Sequence, residues 1–349
     1  MLNKESAVAL RMERQHFYTP VSAAEYDALF RDISPVPTIG WCEPGLPPTL
    51  PPHAGFDDGI YNAERRRGRK ILKGRFGGGV AYVDAADLEL YACLYCKPLP
   101  RLTLEQGRML DLLRREGPLN IGSIKEITGL LVKQITPILH RLQEAFLVFE
   151  DQAYSDGDRG WYPFDSEFPA VNPGRMTKTE ALEAVLPRFA YRQVFFTSAM
   201  AKDFYRQPLR EVTAALEKLV SDGILAAAEL EGTAGYLRPA DAALLDAVSP
   251  APRGILAVQR NDFLVKSLAG ELKERFSSPY ETLYYLLIDG ELRGAVCGRF
   301  KFGPHIIEDV LLDLPSGEQE SRREEVLDAV YTVFDRTASP FKRYAGQGL

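Results

Sequence analysis

One pattern of apolar residues occurs twice in this sequence, and it constrains the fold more than any other feature. Both copies place apolar residues at the i, i+4, i+7 spacing of one helical face. The copies lie 77 residues apart, with Ile135, Leu139 and Leu142 in the first and Val212, Leu216 and Leu219 in the second. A strand-like segment follows at the same offset in each copy, beginning at Leu147 and at Ile224. Two unrelated helical hairpins would share the spacing but not this offset, so the pattern predicts one fold used twice.

The first copy reads as three helices followed by a hairpin. A helix is predicted over 102–116, a shorter helix ends at Gly129, and the third helix carries the repeated face. The strand-like runs 147–152 and 159–164 then flank the turn-forming SDGD. This is the element order of a winged helix, whose third helix buries one face on the first two and turns the other toward a DNA groove.

Two prolines indicate where the third helices begin. Pro137 lacks a backbone donor and its ring clashes with the preceding turn, so regular helix is expected to begin close before it, with Thr136 as the cap. Pro208 suits a helix start, and the third helix of the second copy is expected to begin there.

At 349 residues the chain is too long for a single core, so several domains are expected. Helical segments and the proline-rich stretch 34–56 precede the repeat. Beyond it, two strand-like runs flank the turn dipeptide Asp289-Gly290, and a further strand and an amphipathic helix with Ser316 near its start follow. The predicted fold class is therefore α+β, with tandem winged-helix domains and a C-terminal β-rich module. The predicted divisions are 1–100 for the N-terminal helical segment, proline-rich loop and basic region, 101–170 for the first winged helix, 171–247 for the second, and 248–349 for the β-rich α+β module.

Composition narrows the possible partners only in part. The formal net charge of -6 argues against a uniformly basic surface for nucleic acid but permits a local basic stripe. The sequence has no membrane-length apolar run and no signal-peptide pattern, so a cytosolic protein without membrane contact is expected. Cys93 and Cys96 form one C-x-x-C pair, which is half of a zinc site or a redox pair, but no second ligand pair accompanies it. Buried thiols are the favoured interpretation, and no metal and no cofactor are expected.

The densest positive charge lies in RRRGRKILKGR, which is predicted to be a basic helix beside a run of three glycines. Its basic residues are Arg65, Arg66, Arg67, Arg69, Lys70, Lys73 and Arg75. Such a cluster neutralises phosphates whatever the base sequence, so we expect a phosphate clamp. A solvated helix face is the alternative interpretation.

Polar residues on the outward faces of the two third helices are the other candidate DNA contacts. They are Lys133, Gln134, Thr136, His140 and Arg141 in the first copy and Arg206, Arg210 and Thr213 in the second. Side chains of these types contact phosphates or base edges. Each is also a common solvent-facing residue, which is the alternative here.

Further segments bear on the family of the chain. They are the Arg14-Gln15 pair in RMERQHF, KGRFGGGVAYV, the strand pair LLIDGELRGAVCGRF and the closing SPFKRYAG. Together with the tandem winged helices, they resemble the AlkZ and YcaQ family of bacterial DNA glycosylases over most of the chain. The resemblance implies a C-shaped clamp of winged helices and a small β-domain around double-stranded DNA. It also implies hydrolysis by water of the N-glycosidic bond of an alkylated or crosslinked base, without a metal or nucleotide cofactor.

The catalytic motif of that family is absent from this chain. The family has Q-x-Q or Q-x-D soon after the R-Q helix, where this chain has ISPVPTIGWCEPG. The resemblance therefore assigns no catalytic residue and leaves open whether the chain is an enzyme. Substitute carboxylates are Glu43, Asp57, Asp58, Asp262 and Asp309, and the rings that would stack on a displaced base are Tyr18 and Trp41. Solvation, turns, helix caps and packing are the alternative roles of such residues.

Three functions are open on the sequence alone. The first is a DNA-repair glycosylase, or a divergent relative, acting on damaged double-stranded DNA. The second is a non-enzymatic winged-helix protein that binds DNA or regulates transcription. The third is a winged-helix interaction protein with no DNA partner, because a fold does not dictate a function.

Overall fold

The computed structural model describes residues 3–38, 46–151, 159–299 and 305–348. Helices alternate with small antiparallel sheets along the chain, which confirms the α+β class. Three consecutive segments, here called the first, second and third units, each combine helices with a two-stranded hairpin, and a four-stranded module follows them. Across the described residues, none of the helices has the length and apolar character needed to span a bilayer.

The first unit is a copy of this plan that the sequence pattern did not reveal. It follows α1 (Lys4–Arg14) and consists of α2 (Ala23–Asp32), β1 (Val36–Pro37), α3 (Asp58–Arg67), β2 (Ile71–Phe76) and β3 (Gly79–Asp84). β1 pairs with β3, so the sheet order is β1-β3-β2. A short 3-10 turn (Ala85–Asp87) and α4 (Leu88–Tyr95) lead to the second unit.

The second unit has the predicted order of three helices and a hairpin. Its elements are α5 (Leu104–Glu116), α6 (Ile121–Thr128), α7 (Val132–Glu144), β4 (Val148–Asp151) and β5 (Gly160–Pro163), with α8 (Phe164–Glu167) after them. An antiparallel bridge from Leu119 to Trp161 of β5 takes the place that β1 has in the first unit. Gly129 ends α6 in the left-handed conformation, as expected for a glycine at that position.

The start of α7 differs from the sequence prediction. The helix begins at Val132, with Leu131 as its cap, so Pro137 lies inside the helix and Thr136 does not cap it. Pro137 is exposed, so its ring faces solvent and not the packed core of the unit. The apolar face that follows is buried deeply enough to keep the turn before Pro137 helical despite the missing hydrogen bond.

The third unit repeats the topology of the first. Its elements are α9 (Lys178–Gln193), β6 (Phe195–Phe196), α10 (Ser198–Tyr205), α11 (Leu209–Ser221), β7 (Ala226–Leu230) and β8 (Thr233–Leu237), with α12 (Pro239–Leu244) after them. The sheet order β6-β8-β7 matches that of the first unit. Pro208 directly precedes α11, as predicted. The six apolar residues that define the repeat on α7 and α11 are each no more than 2% exposed.

The module contains an antiparallel sheet covered on both faces. Its elements are β9 (Ile255–Gln259), α13 (Phe263–Ser267), α14 (Ala269–Arg275), β10 (Glu281–Ile288), β11 (Glu291–Arg299), β12 (Ile306–Leu312), α15 (Ser316–Ser321), α16 (Arg323–Tyr331), β13 (Arg343–Tyr344) and β14 (Gln347–Gly348). The sheet order is β12-β11-β10-β9. Asp289 and Gly290 both have positive φ, which is typical of the type I′ hairpin turn predicted there. The predicted amphipathic helix after Ser316 is divided at Arg322 into α15 and α16.

Helix α1 packs on this module although the two are far apart in sequence. Val8 and Met12 of α1 share a buried cluster with Leu272 of α14 and Leu287 of β10. The opposite face of the sheet packs against α16. The first helix therefore completes the core of the module.

A buried ion pair fixes the other end of α1 to the third unit. The Arg14 guanidinium donates to both carboxylate oxygens of Asp241 in α12, at 2.7 and 2.6 Å, and to the carbonyl oxygen of Tyr191 in α9. The Gln15 side chain donates to the carbonyl oxygen of Arg192 at 2.9 Å. The R-Q pair noted in the sequence thus joins α1 to the end of α9.

We expect Asp241→Ala to lower the free energy of unfolding by about 3–5 kcal/mol, because it leaves the buried charge of Arg14 without a carboxylate. Asp328→Ala is the matched control, since Asp328 and its partner Arg336 are 71% and 62% exposed. That substitution should cost less than about 1 kcal/mol. Urea unfolding of both variants measures the difference, and similar losses for the two would contradict the role given to Arg14 and Asp241.

Candidate nucleic-acid interface

A cleft lies where the first unit, the third unit and the module meet. Its volume is about 420 Å³, which is within the range of pockets that hold small ligands. β1 and its neighbours form one wall, and the turn between β2 and β3 forms a second. The end of α10, the residues after β9 and helix α13 form the remaining sides.

Positive charge dominates this cleft, which we call the basic cleft. Arg206, Arg260 and Lys266 line it, and no acidic side chain does so among the described residues. Phe76 and Phe204 add apolar surface, and low-dielectric walls strengthen the field of nearby charges. The lining favours an anionic ligand, although the whole chain has a net charge of -6.

Arg206 takes its position from the tight connection between α10 and α11. It follows the last residue of α10 with a left-handed φ of 52°. Gly77 lies against it, because a Cβ on Gly77 would be 3.4 Å from Cδ of Arg206. Gly77 and Gly78 both have positive φ and form a two-residue hairpin turn, so the tip of the hairpin can approach the arginine closely.

Lys266 projects from α13, in a segment that is otherwise buried. Residues 263–265 and Ser267 are buried, whereas Lys266 is half-buried and lines the basic cleft. Burial, with a contribution from the positive charge of Arg206, lowers the pKa of Lys266 to about 8. Part of this amine is therefore uncharged near neutral pH.

A smaller cavity of about 20 Å³ adjoins the basic cleft and is lined by Asp262. The two share Pro35, Pro37, Phe204 and Asn261 in their walls. Most of its lining is apolar, but Asn261, Gln259 and Thr49 join Asp262 there, and its volume has room for one water molecule. Asp262 thus lies beside the cleft, behind its proline-rich wall.

His53 holds the Asp262 carboxylate. Oδ2 of Asp262 lies 2.7 Å from Nε2 of His53, and Oδ1 accepts from the Leu264 N–H at 2.8 Å. Nδ1 of His53 lies 2.5 Å from the carbonyl oxygen of Gln15. Because both ring nitrogens face acceptors, the doubly protonated imidazolium satisfies both contacts. Burial acts to lower the pKa of His53, but the Asp262 carboxylate and the Gln15 carbonyl outweigh burial and leave this pKa raised.

The predicted phosphate clamp is divided by the fold. RRRGRKILKGR is not one helix, because α3 ends at Arg67 and β2 begins at Ile71. Arg65, Arg66 and Lys73 are buried. Their partners are Asp27 and Asp84 for Arg65, Tyr82 for Arg66 and Glu150 for Lys73. Groups of the protein surround these three side chains, and phosphate contact by them stays a prediction.

The remaining members of the basic run lie nearer the surface. Arg69 forms ion pairs with Asp151 at 2.7 Å and Glu167 at 2.6 Å. Arg75 lies 2.9 Å from Nδ1 of His140 on α7. The two that are exposed are Arg67 and Lys70.

The candidates on the third helices are mostly at the surface, as expected. Lys133, Gln134 and Arg141 are exposed on α7, Thr136 and His140 are half-buried there, and on α11 Arg210 is exposed and Thr213 half-buried. Of all the predicted contacts, only Arg206 lines the basic cleft. DNA contact by the others stays a prediction.

Three of the acidic candidates have structural roles away from the cleft. Asp57 caps α3 by accepting from the Ile60 N–H. Asp58 is buried and accepts from the Tyr26 hydroxyl at 2.7 Å. Asp309 is buried in β12 and accepts from a backbone N–H in the turn between β13 and β14.

The other sequence candidates do not contribute to this site. Glu43 and Trp41 lie outside the described residues. Tyr18 lines a separate cleft between α1 and α12. Cys93 is buried and Cys96 half-buried, and each thiol contacts a backbone carbonyl. Within the described ranges, no three His, Cys, Asp or Glu side chains are grouped as a metal site would require.

Comparison with known proteins finds the same architecture in a solved structure. No family model matches the chain, and a search of curated proteins found no match. Among solved structures, the DNA glycosylase AlkZ of Streptomyces sahachiroi matches with a TM-score of 0.67 and 15% sequence identity, covering 98% of this chain and 100% of that one. The chain has an AlkZ-like fold. The resemblance inferred from scattered segments is thereby confirmed at the level of the fold.

Sequence reasoning missed several residues at the centre of this AlkZ-like fold. Arg260, Lys266 and His53 belong to no repeat and to no run of charge. Asn261-Asp262 before an apolar run is a helix-start signal, and it was the one feature that could have drawn attention to α13.

We expect the stability difference between wild type and His53→Gln to be largest below about pH 6.5 and to narrow as the pH rises. The pKa of His53 in the fold is raised above its ordinary value of 6.5, so the stabilising contribution is complete below that value and is lost as the pH passes through the raised pKa. Thermal unfolding between about pH 5.5 and about pH 8.5 measures the difference in Tm.

His140→Gln is the control for this experiment. Burial and the nearby Arg75 lower the pKa of His140, so wild type should lose stability relative to H140Q as the pH falls below about 6.5. The two variants should therefore show opposite pH trends. A His53→Gln difference that widens with rising pH would contradict the proposed pairing with Asp262.

Proposed function

We propose that this chain binds double-stranded DNA through its winged-helix units and holds an extruded nucleotide in the basic cleft. The observation that carries the proposal is the concentration of Arg206, Arg260 and Lys266 in one cleft without an acidic side chain among its described lining residues. Phosphates bind to such lining by charge, whatever the base sequence. A volume of about 420 Å³ suits a single nucleotide displaced from the duplex.

We further propose hydrolysis of an N-glycosidic bond in this cleft, with Asp262 as the carboxylate. The reaction needs a group that orients water and stabilises positive charge on the sugar as the base leaves. Asp262 adjoins the cleft at a cavity with room for a water molecule, and His53 fixes its orientation. The AlkZ-like fold supports the same reaction class by analogy, since the Streptomyces relative is a DNA glycosylase. A damaged base in duplex DNA is then the substrate class.

A second candidate is a DNA-binding protein without glycosylase activity. The observation in its favour is the wall of the cleft, where Pro35, Pro37 and Thr38 stand in the segment that has Q-x-Q or Q-x-D in the family. These residues cannot replace the two polar side chains of that motif. Both candidates share the basic cleft and differ in the role of Asp262.

We expect Arg206→Gln to weaken binding to a duplex and to reduce the slope of log Kd against log salt concentration by about 0.9, the value for one lost phosphate contact. Fluorescence anisotropy with a labelled duplex over a salt series measures the slope. Arg336→Gln is the control, because Arg336 is exposed on the module and does not line the cleft. An unchanged slope for R206Q would remove the cleft from the DNA interface.

We expect Asp262→Asn to reduce the release of free base from alkylated duplex DNA at least about 100-fold under single-turnover conditions. His53→Gln is the matched control, because it disrupts the same buried pair but keeps the carboxylate. It should lower the free energy of unfolding and should reduce the rate per folded molecule less than Asp262→Asn does. Base release by D262N at the wild-type rate would exclude the catalytic role of Asp262, and no release by wild type would favour the non-enzymatic candidate.

A further inference from the structure

We propose that the amine of Lys266 forms a Schiff base with the C1′ aldehyde of an abasic deoxyribose held in the basic cleft. The chain would then cleave the DNA strand at abasic sites by β-elimination. The inference rests on the DNA-binding part of the proposed function. It does not require base release by Asp262, because the DNA substrate already contains the abasic site.

The geometry of Lys266 differs from that of a structural lysine. Among the described residues, its side-chain amine has no ion pair or hydrogen bond, and it lines a cleft large enough for a sugar. Lys73 is the internal contrast, since its amine is buried but lies 2.9 Å from the Glu150 carboxylate. Burial lowers the pKa of Lys73 as well, but the Glu150 carboxylate opposes that effect. No carboxylate of the described residues does so for Lys266, whose charged neighbour is Arg206.

The environment of Lys266 activates its amine. Nucleophilic lysines are characteristically desolvated or adjacent to another cation, because both conditions favour the neutral amine. Lys266 meets both conditions, and its pKa of about 8 leaves about a tenth of the amine uncharged at pH 7. Its lone pair is then available for attack on a carbonyl carbon.

The chemical step needs no oxidant or reductant. The neutral amine adds to C1′ of the ring-opened sugar, and the resulting carbinolamine loses water to form a protonated imine. The imine makes the C2′ proton acidic, and water removes it. The electrons of the C2′–H bond then form a C2′=C3′ double bond as the C3′–O bond breaks and its electrons leave with the phosphate. The leaving group is the 5′-phosphate end of the downstream strand. Hydrolysis of the imine by water releases the cleaved sugar and restores the lysine. Arg206 and Arg260, in the same lining, are placed to hold phosphates beside the sugar.

The test uses the full chain and a labelled duplex with one abasic site, made by enzymatic removal of a single uracil. Borohydride reduces the imine to a stable secondary amine, so a covalent protein–DNA band on a denaturing gel reports the Schiff base. We expect wild type to be trapped and Lys266→Arg to lose at least about ten-fold of the trapped band. Lys273→Arg is the matched control, because Lys273 is exposed on the adjacent α14.

Anisotropy on the same abasic duplex separates loss of chemistry from loss of binding. Trapping by wild type and Lys266→Arg is compared at duplex concentrations that saturate each protein, so a weaker Kd of the variant does not by itself lower the trapped band. Binding by wild type without trapping overturns the inference and leaves the DNA-binding proposal standing. Absence of binding by wild type overturns both. Equal trapping of K266R and wild type would assign the amine to another residue.

A second variant tests the environment and does not depend on replacing Lys266. Arg206→Met removes the positive neighbour, which should raise the pKa of Lys266. The pH at which trapping reaches half its maximum should lie near 8 in wild type and shift upward in R206M. A profile that does not move in a folded R206M protein would overturn the assignment to Lys266.

Discussion

The end of α9 is the joint on which the basic cleft depends. Arg192 donates to the Asp32 carboxylate at the end of α2 and to the carbonyl oxygen of Arg14 at the end of α1. The next residue, Gln193, donates to the Ser267 hydroxyl of α13 at 2.9 Å. One turn of helix therefore holds the first unit, α1 and the module at once. Buried polar groups of this kind are costly to leave unpaired, so they fix one relative arrangement of the parts that line the cleft.

The distribution of charge in the molecule explains why its negative net charge does not exclude an anionic ligand. The basic run of the first unit is largely neutralised by carboxylates of its own and the second unit, and three of its members are buried. The cations of the cleft come instead from separate places in the chain, with Arg206 after α10, Arg260 after β9 and Lys266 in α13. Their effect arises because the fold brings them together on apolar walls. Local charge density in a low-dielectric cleft thus matters more than net charge for an anionic ligand.

The sequence predicted what depends on periodicity and missed what depends on tertiary contacts. The repeated apolar face, the glycine after α6 and the Asp289-Gly290 turn all carry local signals, and the structure has each of them in place. The first unit escaped detection because the proline-rich stretch stands between β1 and α3, where the other units have a regular helix. Charge density in the sequence did not point to the cleft, since Arg65 and Lys73 are buried beside carboxylates of the protein and Lys266 lies outside any basic run. No periodic pattern reports which distant side chains share a cleft.

The packing of α1 on the module has a consequence for the order in which the protein folds during synthesis. The apolar side of α1 faces Leu287 and Leu272, which leave the ribosome more than 250 residues later. At a synthesis rate of about 5–20 residues per second, the native neighbours of Val8 and Met12 are made roughly 12–50 s after these two residues. The three units can assemble in sequence while the side of α1 that faces the module remains uncovered. Helix α1 is thus made before the three units, and the apolar side that it turns to the module is covered after them.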